Sequence, residues 1–540
     1  MPRLTEITRQ SFDLIVIGGG IIGSGIARDA ALRGLKVALF EKQDFGCGTT
    51  AGSTRLIHGG LRYLEMLDFR LVRLDFRERE TLLKIAPHLV KPLRFLVPFY
   101  ESSLARRAKM RLGMILYDLL SFDKSLPRHR VLDAAEVMEA EPVMRAGGLR
   151  GAVVYYDAHA FSPERLCLEN LIDAREHGAH VSNYAEVTRA LRSGRTINGV
   201  LVRDALNPSG EVVEVKARVV VNASGPWFDH VARNLTEQAK PQIRATKGIH
   251  IACPPLSRDA LVLFSNLDGR LFFVIPWLGY SWIGTTDTDY RDDPGAARAS
   301  ASDVDYLIGS VKEFVPEVDN APIYFSNAGV RALVLKEGSE SSVSRMHRIS
   351  DGEGIGAPGL VSVLGGKLTG FRAISEEVVD VVCSKLGIKS PCRTATTPLP
   401  GGRPVPPADA PSFVNEELAA HLSGLYGSRA VEVIQLADSN SRLRERLAPG
   451  YPDIAAQVIH AVRSEQCLRL SDFILRRTIL GFSRDQGRGA VGRVAALMAE
   501  ELGWTPEREA AEEQAFNECL EMTQAFRRVM PAARHGLPKR

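Results

Sequence analysis

A glycine-rich turn between a buried strand and a helix constrains this chain more than any other feature. Residues 12–17 form a mostly apolar run of strand length, and Gly18, Gly20 and Gly23 follow with GxGxxG spacing. The next residues place small and apolar side chains on one helical face, and residues 36–41 have the composition of a second strand. Strand, turn, helix and strand in this order predict a βαβ unit of a Rossmann-like domain.

The same spacing predicts a dinucleotide site. The glycines permit a tight turn, let the backbone approach a pyrophosphate and let helix and strand pack closely, while the helix N-terminus favours negative charge. Glu41 ends the second strand, 18 residues after Gly23. There it is suited to hydrogen-bond the adenosine ribose, and its charge disfavours NADP. Outside this context, Glu41 would be read as an exposed carboxylate.

The fingerprint alone serves FAD and NAD equally. Two later segments favour FAD, which takes the N-terminal site in flavoenzymes with two dinucleotides. They are VVVNASGPW at 219–227 and LVSVLGGKLT at 360–369, each a strand that runs into a turn of small residues. Either segment taken singly also fits a plain strand end. No second fingerprint follows, so NAD is a poor candidate for the electron acceptor.

Length and composition exclude several classes of protein. A chain of 540 residues exceeds the size of a single core, which stops growing at about 250–300 residues. The net charge of +4 is spread along the chain, which argues against a nucleic-acid partner. Seven cysteines without a CxxC pair or ligand-like spacing to histidine indicate reduced thiols, a cytoplasmic location and no metal site. The polar N-terminus has no signal-like apolar region, and no apolar stretch reaches the roughly 18 residues of a spanning helix.

The expected fold is mixed α/β, with a Rossmann-like FAD-binding domain interleaved with an α+β substrate domain and followed by an all-helical C-terminal domain. Residues 60–122 have helical periodicity with prolines at 87, 92 and 98, which predicts a helical lid. Strand-like runs occur at 151–156, 196–203, 212–222, 270–275 and 280–285, with a helical stretch near 163–177. The predicted boundaries are 1–397 for the interleaved domains (substrate part mainly 90–160 and 235–345), 398–411 for a Pro/Gly-rich linker, and 412–540 for the helical domain.

Several motifs together resemble one family. The segments STRLIHGGLRYLE, DFRLVRLDFRERETLLKIAPHLVKPLRF, VVNASGPW, KGIHI, FVIPW, IGTTDTDY, SNAGVRALV and VSVLGGKLTGFR, with the N-terminal DLIVIGGGIIGSGIARDAALRG, are similar to the FAD-dependent respiratory glycerol-3-phosphate dehydrogenases of the D-amino-acid-oxidase-like superfamily. They cover most of residues 12–375, and a weaker match covers 461–482. The combination of HGGLRYL with IGTTD and GGKLT is specific to that family.

The resemblance implies an enzyme that oxidises glycerol-3-phosphate to dihydroxyacetone phosphate by hydride transfer to FAD and passes the electrons to a membrane quinone. Arg62, Arg331 and Lys367 match positions that hold the phosphorylated substrate, and Arg345 and His347 match a further active-site pair. Thr50-Ala51 stands where the family shows a Ser-Ser pair and Arg55 where it shows a lysine, while Thr49, Thr50 and Ser53 keep hydroxyls for the cofactor. The complete set of residues predicted to bind the cofactor is Gly18, Gly20, Gly23, Glu41, Lys42, Thr49, Thr50, Ser53, Ala223, Gly225, Gly365, Gly366, Leu368 and Thr369.

The chemistry of the residues agrees with that reading. A phosphate dianion requires several cations, and arginine forks suit its oxygens. Oxidation of a secondary alcohol also requires a base for the hydroxyl proton and a positive field for the developing alkoxide. Lys367 or Arg331 is suited to supply the field, and His58 or His347 to act as the base. His58 would equally satisfy a backbone carbonyl at a turn.

Other functions remain open at this point. Met346, the Gly370-Phe371 pair and FSPERL at 161–166 depart from the family pattern and leave room for another polyol phosphate or a hydroxy acid. The rival functions are an oxidase that uses oxygen and a catalytically inactive flavin-binding component.

Residues 91–122 alternate basic and large apolar side chains. This pattern fits an interfacial element near anionic lipid and quinone, and it also fits a buried helical excursion. The expected location is cytoplasmic, peripheral on the inner membrane, with a homodimer left open.

Overall fold

A computed structural model describes residues 4, 7, 10–60, 68–100, 104–236, 239–336, 339–344, 346–404 and 411–529. In chain order its strands are β1 (Ser11–Ile17), β2 (Val37–Phe40), β3 (Leu56–Ile57), β4 (Val90–Tyr100), β5 (Arg130–Leu132), β6 (Leu149–Ala160), β7 (His180–Ser182), β8 (Ala185–Ser193), β9 (Thr196–Asp204), β10 (Val213–Asn222), β11 (Ile243–Cys253), β12 (Ala260–Phe264), β13 (Leu271–Trp277), β14 (Tyr280–Gly284), β15 (Thr288–Asp289), β16 (Phe325–Lys336), β17 (Ser339–Ser344), β18 (Arg348–Asp351) and β19 (Leu360–Leu364).

The main helices are α1 (Ile21–Leu32), α2 (Phe69–Ile85), α3 (Leu104–Leu120), α4 (Ala134–Ala140), α5 (Pro163–Glu176), α6 (Phe228–Leu235), α7 (Ala301–Val311), α8 (Phe371–Leu386), α9 (Glu416–Tyr426), α10 (Ala430–Ser439), α11 (Ala455–Glu465), α12 (Val491–Leu502) and α13 (Pro506–Thr523). Several of them begin at a residue whose side chain caps the helix. Asp68 caps α2 by accepting from the Leu71 amide, and Ser162 caps α5, which has proline in its first turn.

The first sheet forms around the glycine-rich turn, in the order β18-β19-β10-β1-β2-β7, with β9 added beside β10 and β8 beside β9. β19, β10, β1, β2 and β7 are parallel neighbours, so their carboxyl ends meet at one edge. Leu14, Ile15 and Val16 of β1 are fully buried because both faces of the sheet are covered. α1 packs between α5 and α8 on one face, where a single apolar core joins them.

The second sheet is mostly antiparallel and runs β17-β16-β11-β14-β13-β12-β4-β6-β3, with β15 paired to β11 and β5 to β6. Apolar cores cover both of its faces. On one face, the buried guanidinium of Arg79 donates to Asp157 and to Glu80, and the Tyr117 hydroxyl donates to the other oxygen of Asp157. The expected mixed α/β class with a helical C-terminal region is confirmed.

One part of the predicted helical lid is wrong. Residues 69–85 and 104–120 are helical, but β4 lies between them and pairs with β6 along its whole length. β4 pairs with β12 only at Phe95 and Leu96, so Pro92 and Pro98 sit where the β12 side requires no backbone donor. Consecutive buried residues such as Phe95, Leu96 and Val97 fit a buried strand and a buried helix equally well, which explains the misassignment.

The C-terminal helices pack around two small apolar cores of their own. Between α11 and α12 the chain forms a short helical turn at Leu470–Asp472 and a π-helical turn at Phe473–Arg477, which packs against α5. Residues 405–410 of the predicted linker lie outside the described residues. Across the described part of the chain, no helix combines the length and the apolar character needed to cross a membrane.

Candidate active site

The glycine-rich turn joins β1 to α1 at the edge where the parallel strands end. Gly18 has φ +108°, and a Cβ atom on it would lie 2.7 Å from the Ala223 carbonyl oxygen at the end of β10. A Cβ on Gly23 would lie 1.9 Å from the Gly18 carbonyl oxygen. Both positions therefore require glycine, and the close approach leaves the N-terminus of α1 open to an anion.

The segment after β2 wraps around this turn. The Glu41 carboxylate accepts the amide of Gly19 at 2.7 Å and the amide of Gln43 at 2.9 Å. Burial raises the pKa of Glu41, and the two amides oppose that rise by bonding to its charged form. Further along, the Thr50 hydroxyl accepts the Ile21 amide at 3.1 Å, at the first turn of α1. One carboxylate oxygen of Glu41 therefore holds the Gly19 amide of the turn, and the Glu41 residue also lines the candidate site.

A cavity of about 440 Å³ runs from this turn to the second sheet. Thr49 donates its hydroxyl to the Val330 carbonyl on β16, and Lys42 places its ammonium 4.3 Å from the centre of the Trp227 ring. Of the predicted cofactor residues, all but Gly23 line the cavity: Gly18, Gly20, Glu41, Lys42, Thr49, Thr50, Ser53, Ala223, Gly225, Gly365, Gly366, Leu368 and Thr369. Segments far apart in sequence thus line one cavity, and many of the residues they contribute are small, as the close approach of a dinucleotide to the backbone requires.

Two of the predicted cations line the same cavity. Arg331, on β16, donates to the Thr285 hydroxyl at 2.8 Å, to the Thr286 carbonyl at 3.2 Å and to Asp287 at 3.2 Å. Lys367, in the turn after β19, forms an ion pair of 2.7 Å with Asp75 of α2. These contacts hold both cations in place while each still borders the cavity.

The two histidines considered as the base are in different surroundings. His58 lines the cavity, its backbone amide donates to the Thr369 hydroxyl, and its ring meets Phe273 edge-on. Burial lowers the pKa of His58 to about 4, with Lys367 adding to the effect, so its imidazole is neutral at pH 7. His347 instead pairs with Glu377 of α8 at 2.8 Å and is not among the residues that line the cavity.

Arg62 and Arg345 lie outside the described residues. Sequence reasoning missed Asp75, because it lies 292 residues from its partner Lys367 and no local pattern links the two. Burial raises the pKa of Asp75 to about 6, although the Lys367 ammonium opposes the shift. Sequence reasoning also gave no role to Thr285, Thr286 and Asp287, which surround Arg331, although all three lie in the IGTTDTDY motif.

Comparisons with known proteins show to which family this chain belongs. Residues 13–372 match the FAD dependent oxidoreductase family, and residues 392–509 match the C-terminal domain of alpha-glycerophosphate oxidase. The chain is 39% identical over 544 residues to a glycerol-3-phosphate dehydrogenase of Synechocystis sp., with 96% of this chain and 98% of that protein covered. This chain belongs to the FAD-dependent glycerol-3-phosphate dehydrogenase family.

Two further family members extend the comparison. An aerobic glycerol-3-phosphate dehydrogenase of Staphylococcus saprophyticus is 36% identical over 527 residues, covering 93% of this chain and 92% of that protein. The glycerol-3-phosphate dehydrogenase from Bacillus halodurans, solved in complex with FAD, superposes with a TM-score of 0.77 at 28% identity and covers 96% of each chain. The resemblance stated from the motifs and the expectation of FAD as cofactor are confirmed.

The turn geometry yields a test of FAD binding. Gly23→Ala places a methyl group against the Gly18 carbonyl, 1.9 Å away before any relaxation, and should open the turn that receives the pyrophosphate. We expect the flavin content of the purified variant, measured by its absorbance near about 450 nm, to be lower than that of the unchanged chain by about tenfold or more. Gly309→Ala is the matched control, because a Cβ there meets no atom within 4 Å and the site lies in α7. Equal flavin content in both variants would contradict the assignment of this turn.

Proposed function

We propose that this FAD-dependent enzyme oxidises sn-glycerol-3-phosphate to dihydroxyacetone phosphate and delivers the electrons to a membrane quinone. The observation that supports the substrate is the presence of Arg331 and Lys367 on the wall of the same cavity that the dinucleotide segments line. Relatives that are 39% and 36% identical along nearly the whole chain carry the name of this activity.

Arg331 is the proposed main ligand of the phosphate group. The contacts with Thr285 and Asp287 fix its guanidinium, and a fixed planar fork matches two phosphate oxygens better than a flexible ammonium does. Its side chain is partly exposed, at 31%, on the cavity side. Arg62 is proposed as a second phosphate ligand, because it lies in the HGGLRYL motif.

His58 is the proposed base for the hydroxyl proton at C2. Burial keeps the imidazole of His58 neutral well below pH 7, so its nitrogen lone pair is available to accept a proton. The same lowering of the pKa makes His58 a weaker base than an ordinary imidazole, so proton removal depends on the positive field that stabilises the alkoxide. Lys367 borders the same region and supplies the positive field that favours a developing alkoxide. Bound FAD supplies the acceptor for the hydride that leaves C2. Asp75 holds the Lys367 ammonium in position, and its own charge reduces the net positive charge of the pair.

A surface suited to a membrane supports the quinone as acceptor. α3 and the turn after it expose a row of large apolar side chains at helical spacing, with exposures of 67%, 57%, 65% and 73% for Leu112, Ile115, Leu119 and Phe122. The opposite face of α3 is anchored in the protein by the buried Met114 and Tyr117. The sequence just before this row is basic, RRAKMR at 106–111, as suits anionic lipid headgroups.

The substrate assignment predicts that glycerol-3-phosphate bleaches the flavin absorbance of the anaerobic protein and that a soluble quinone analogue restores it. In Arg331→Ala, FAD should be retained while KM rises by about 10- to 100-fold, since a hydrogen bond to a charged group contributes about 1.5–3 kcal/mol. Arg244→Ala is the control, because Arg244 lies on the neighbouring strand β11 but pairs with the exposed Asp289. Absence of bleaching in flavin-loaded protein would refute the substrate, and faster recovery with oxygen than with quinone would indicate an oxidase.

The proposed base predicts both a pH profile and a mutational effect. Because the pKa of His58 is lowered to about 4, the neutral form persists as pH falls, and kcat should decline only as pH approaches 4. His58→Asn should lower kcat by about 10²- to 10⁴-fold with FAD still bound. His347→Asn is the paired comparison and should leave kcat nearly unchanged, since that ring faces Glu377. The reverse pattern would make His347 the base.

The α3 surface predicts binding to anionic vesicles. Leu112→Glu should abolish cosedimentation with phosphatidylglycerol vesicles while leaving the rate with a soluble acceptor unchanged, because a carboxylate on this face opposes insertion among anionic lipids. Leu267→Glu makes the same change at a residue that is also 67% exposed but lies far from α3 in sequence, between β12 and β13. If both variants bound vesicles as the unchanged chain does, α3 would not be the membrane surface.

A further inference from the structure

We propose that the C-terminal helical region controls FAD affinity by holding both ends of the loop that surrounds the dinucleotide turn. We name residues 41–55 the cradle loop and residues 465–482 the clamp segment. The cradle loop follows β2 and carries Glu41 and Thr50, whereas the clamp segment contains the π-helical turn Phe473–Arg477. The inference concerns cofactor binding only and holds for any substrate.

The first end of the cradle loop is held by charge. Asp44 is buried, and Arg477 donates to both of its oxygens at 2.7 and 2.8 Å, while Arg476 donates to one of them at 2.5 Å. Burial by itself would raise the pKa of Asp44, but the two guanidiniums, that of Arg477 foremost, hold it well below its usual range. Two consecutive arginines of the clamp segment therefore fix one carboxylate of the cradle loop.

The clamp arginines are themselves held. Arg477 is fully buried and donates to the Glu465 carbonyl at 3.0 Å. Arg476 also donates to Asp472 at 2.8 Å, and Asp472 accepts the hydroxyl of Tyr184 from the strand region next to the cradle loop. Because each guanidinium has fixed partners on both sides, the ion pairs restrain position as well as balance charge.

The second end of the cradle loop is held by an aromatic contact. Arg55 lies 4.6 Å from the centre of the Phe482 ring and 4.4 Å from that of Trp277, so its guanidinium is enclosed between the clamp segment and the second sheet. Glu164 of α5 binds the same guanidinium through two hydrogen bonds of 2.9 and 2.6 Å. Arg55 also has φ +63°, a backbone conformation that a non-glycine residue adopts only when its surroundings fix it.

Between its two ends the cradle loop contacts the dinucleotide turn at three points. Glu41 accepts the Gly19 amide, the Gly46 amide donates to the Gly19 carbonyl at 3.0 Å, and Thr50 accepts the Ile21 amide. Gly46 is only two residues from Asp44. A shift at Asp44 therefore moves a direct hydrogen-bond partner of the turn, which links the C-terminal region mechanically to the cofactor site.

The test compares two residues of the C-terminal region that each hold a buried carboxylate. Arg477→Met removes a partner of Asp44 in the cradle loop, whereas His421→Leu removes a partner of Asp453, 2.9 Å away, outside the clamp segment. FAD affinity of each full-length variant is measured by equilibrium dialysis, and thermal unfolding is followed in parallel. We expect the Kd for FAD to rise about tenfold or more in Arg477→Met and by no more than about twofold in His421→Leu, although both variants unfold at lower temperature.

Two further variants keep the inference open to refutation if Arg477→Met does not fold. Arg477→Lys retains the charge but loses the two-pronged contact and should give an intermediate Kd. Phe482→Leu removes the ring above Arg55 without removing a charge, and it should also raise the Kd for FAD. Saturating FAD should restore the flavin content of all these variants. Equal affinities in the Arg477, Phe482 and His421 variants would overturn the proposal.

Discussion

The close approach of three backbone segments at the end of β1 is the constraint on which the rest of this structure depends. Gly18 lies against Ala223, the residue after β10, and Gly23 lies against Gly18, with no room for a side chain at either glycine. This contact fixes the angle between β1 and α1, and with it the direction in which the helix N-terminus faces. The cradle loop, the end of β10 and the turn after β19 are arranged around that point.

Buried charge is the second organising feature, and it is consistently paired in the contacts described above. Arg79 with Asp157 lies inside the second sheet, Lys367 with Asp75 lies at the cavity wall, and Asp44 lies between two arginines. Such pairs contribute less to net stability than to geometry, because desolvation offsets much of the attraction while loss of one partner is severe. Their value here is that they hold cavity-lining and loop residues in fixed positions.

The functional proposals draw on different parts of this arrangement. Substrate binding depends on Arg331 and Lys367 within the cavity, membrane contact on the apolar row of α3, and FAD affinity on the clamp segment. The first two lie on or near the second sheet, whereas the third depends on the C-terminal helices. The C-terminal region thus has a physical connection to the cofactor site, although none of its residues that the structure describes lines the cavity.

The sequence by itself determined the βαβ unit and the strands that return to it, because these depend on local spacing of glycine and apolar residues. It also determined the family, through the resemblance of motifs such as HGGLRYL, IGTTD and GGKLT. It did not determine that residues 90–100 form a strand, since a buried apolar run fits either periodicity. Nor did it determine that His58 rather than His347 borders the cavity. Only the tertiary structure brought Asp75 to Lys367 and Asp44 to Arg477, across 292 and 433 residues. Such pairs carry no local signal, because their complementarity exists only once the two sheets and the helical region are packed together.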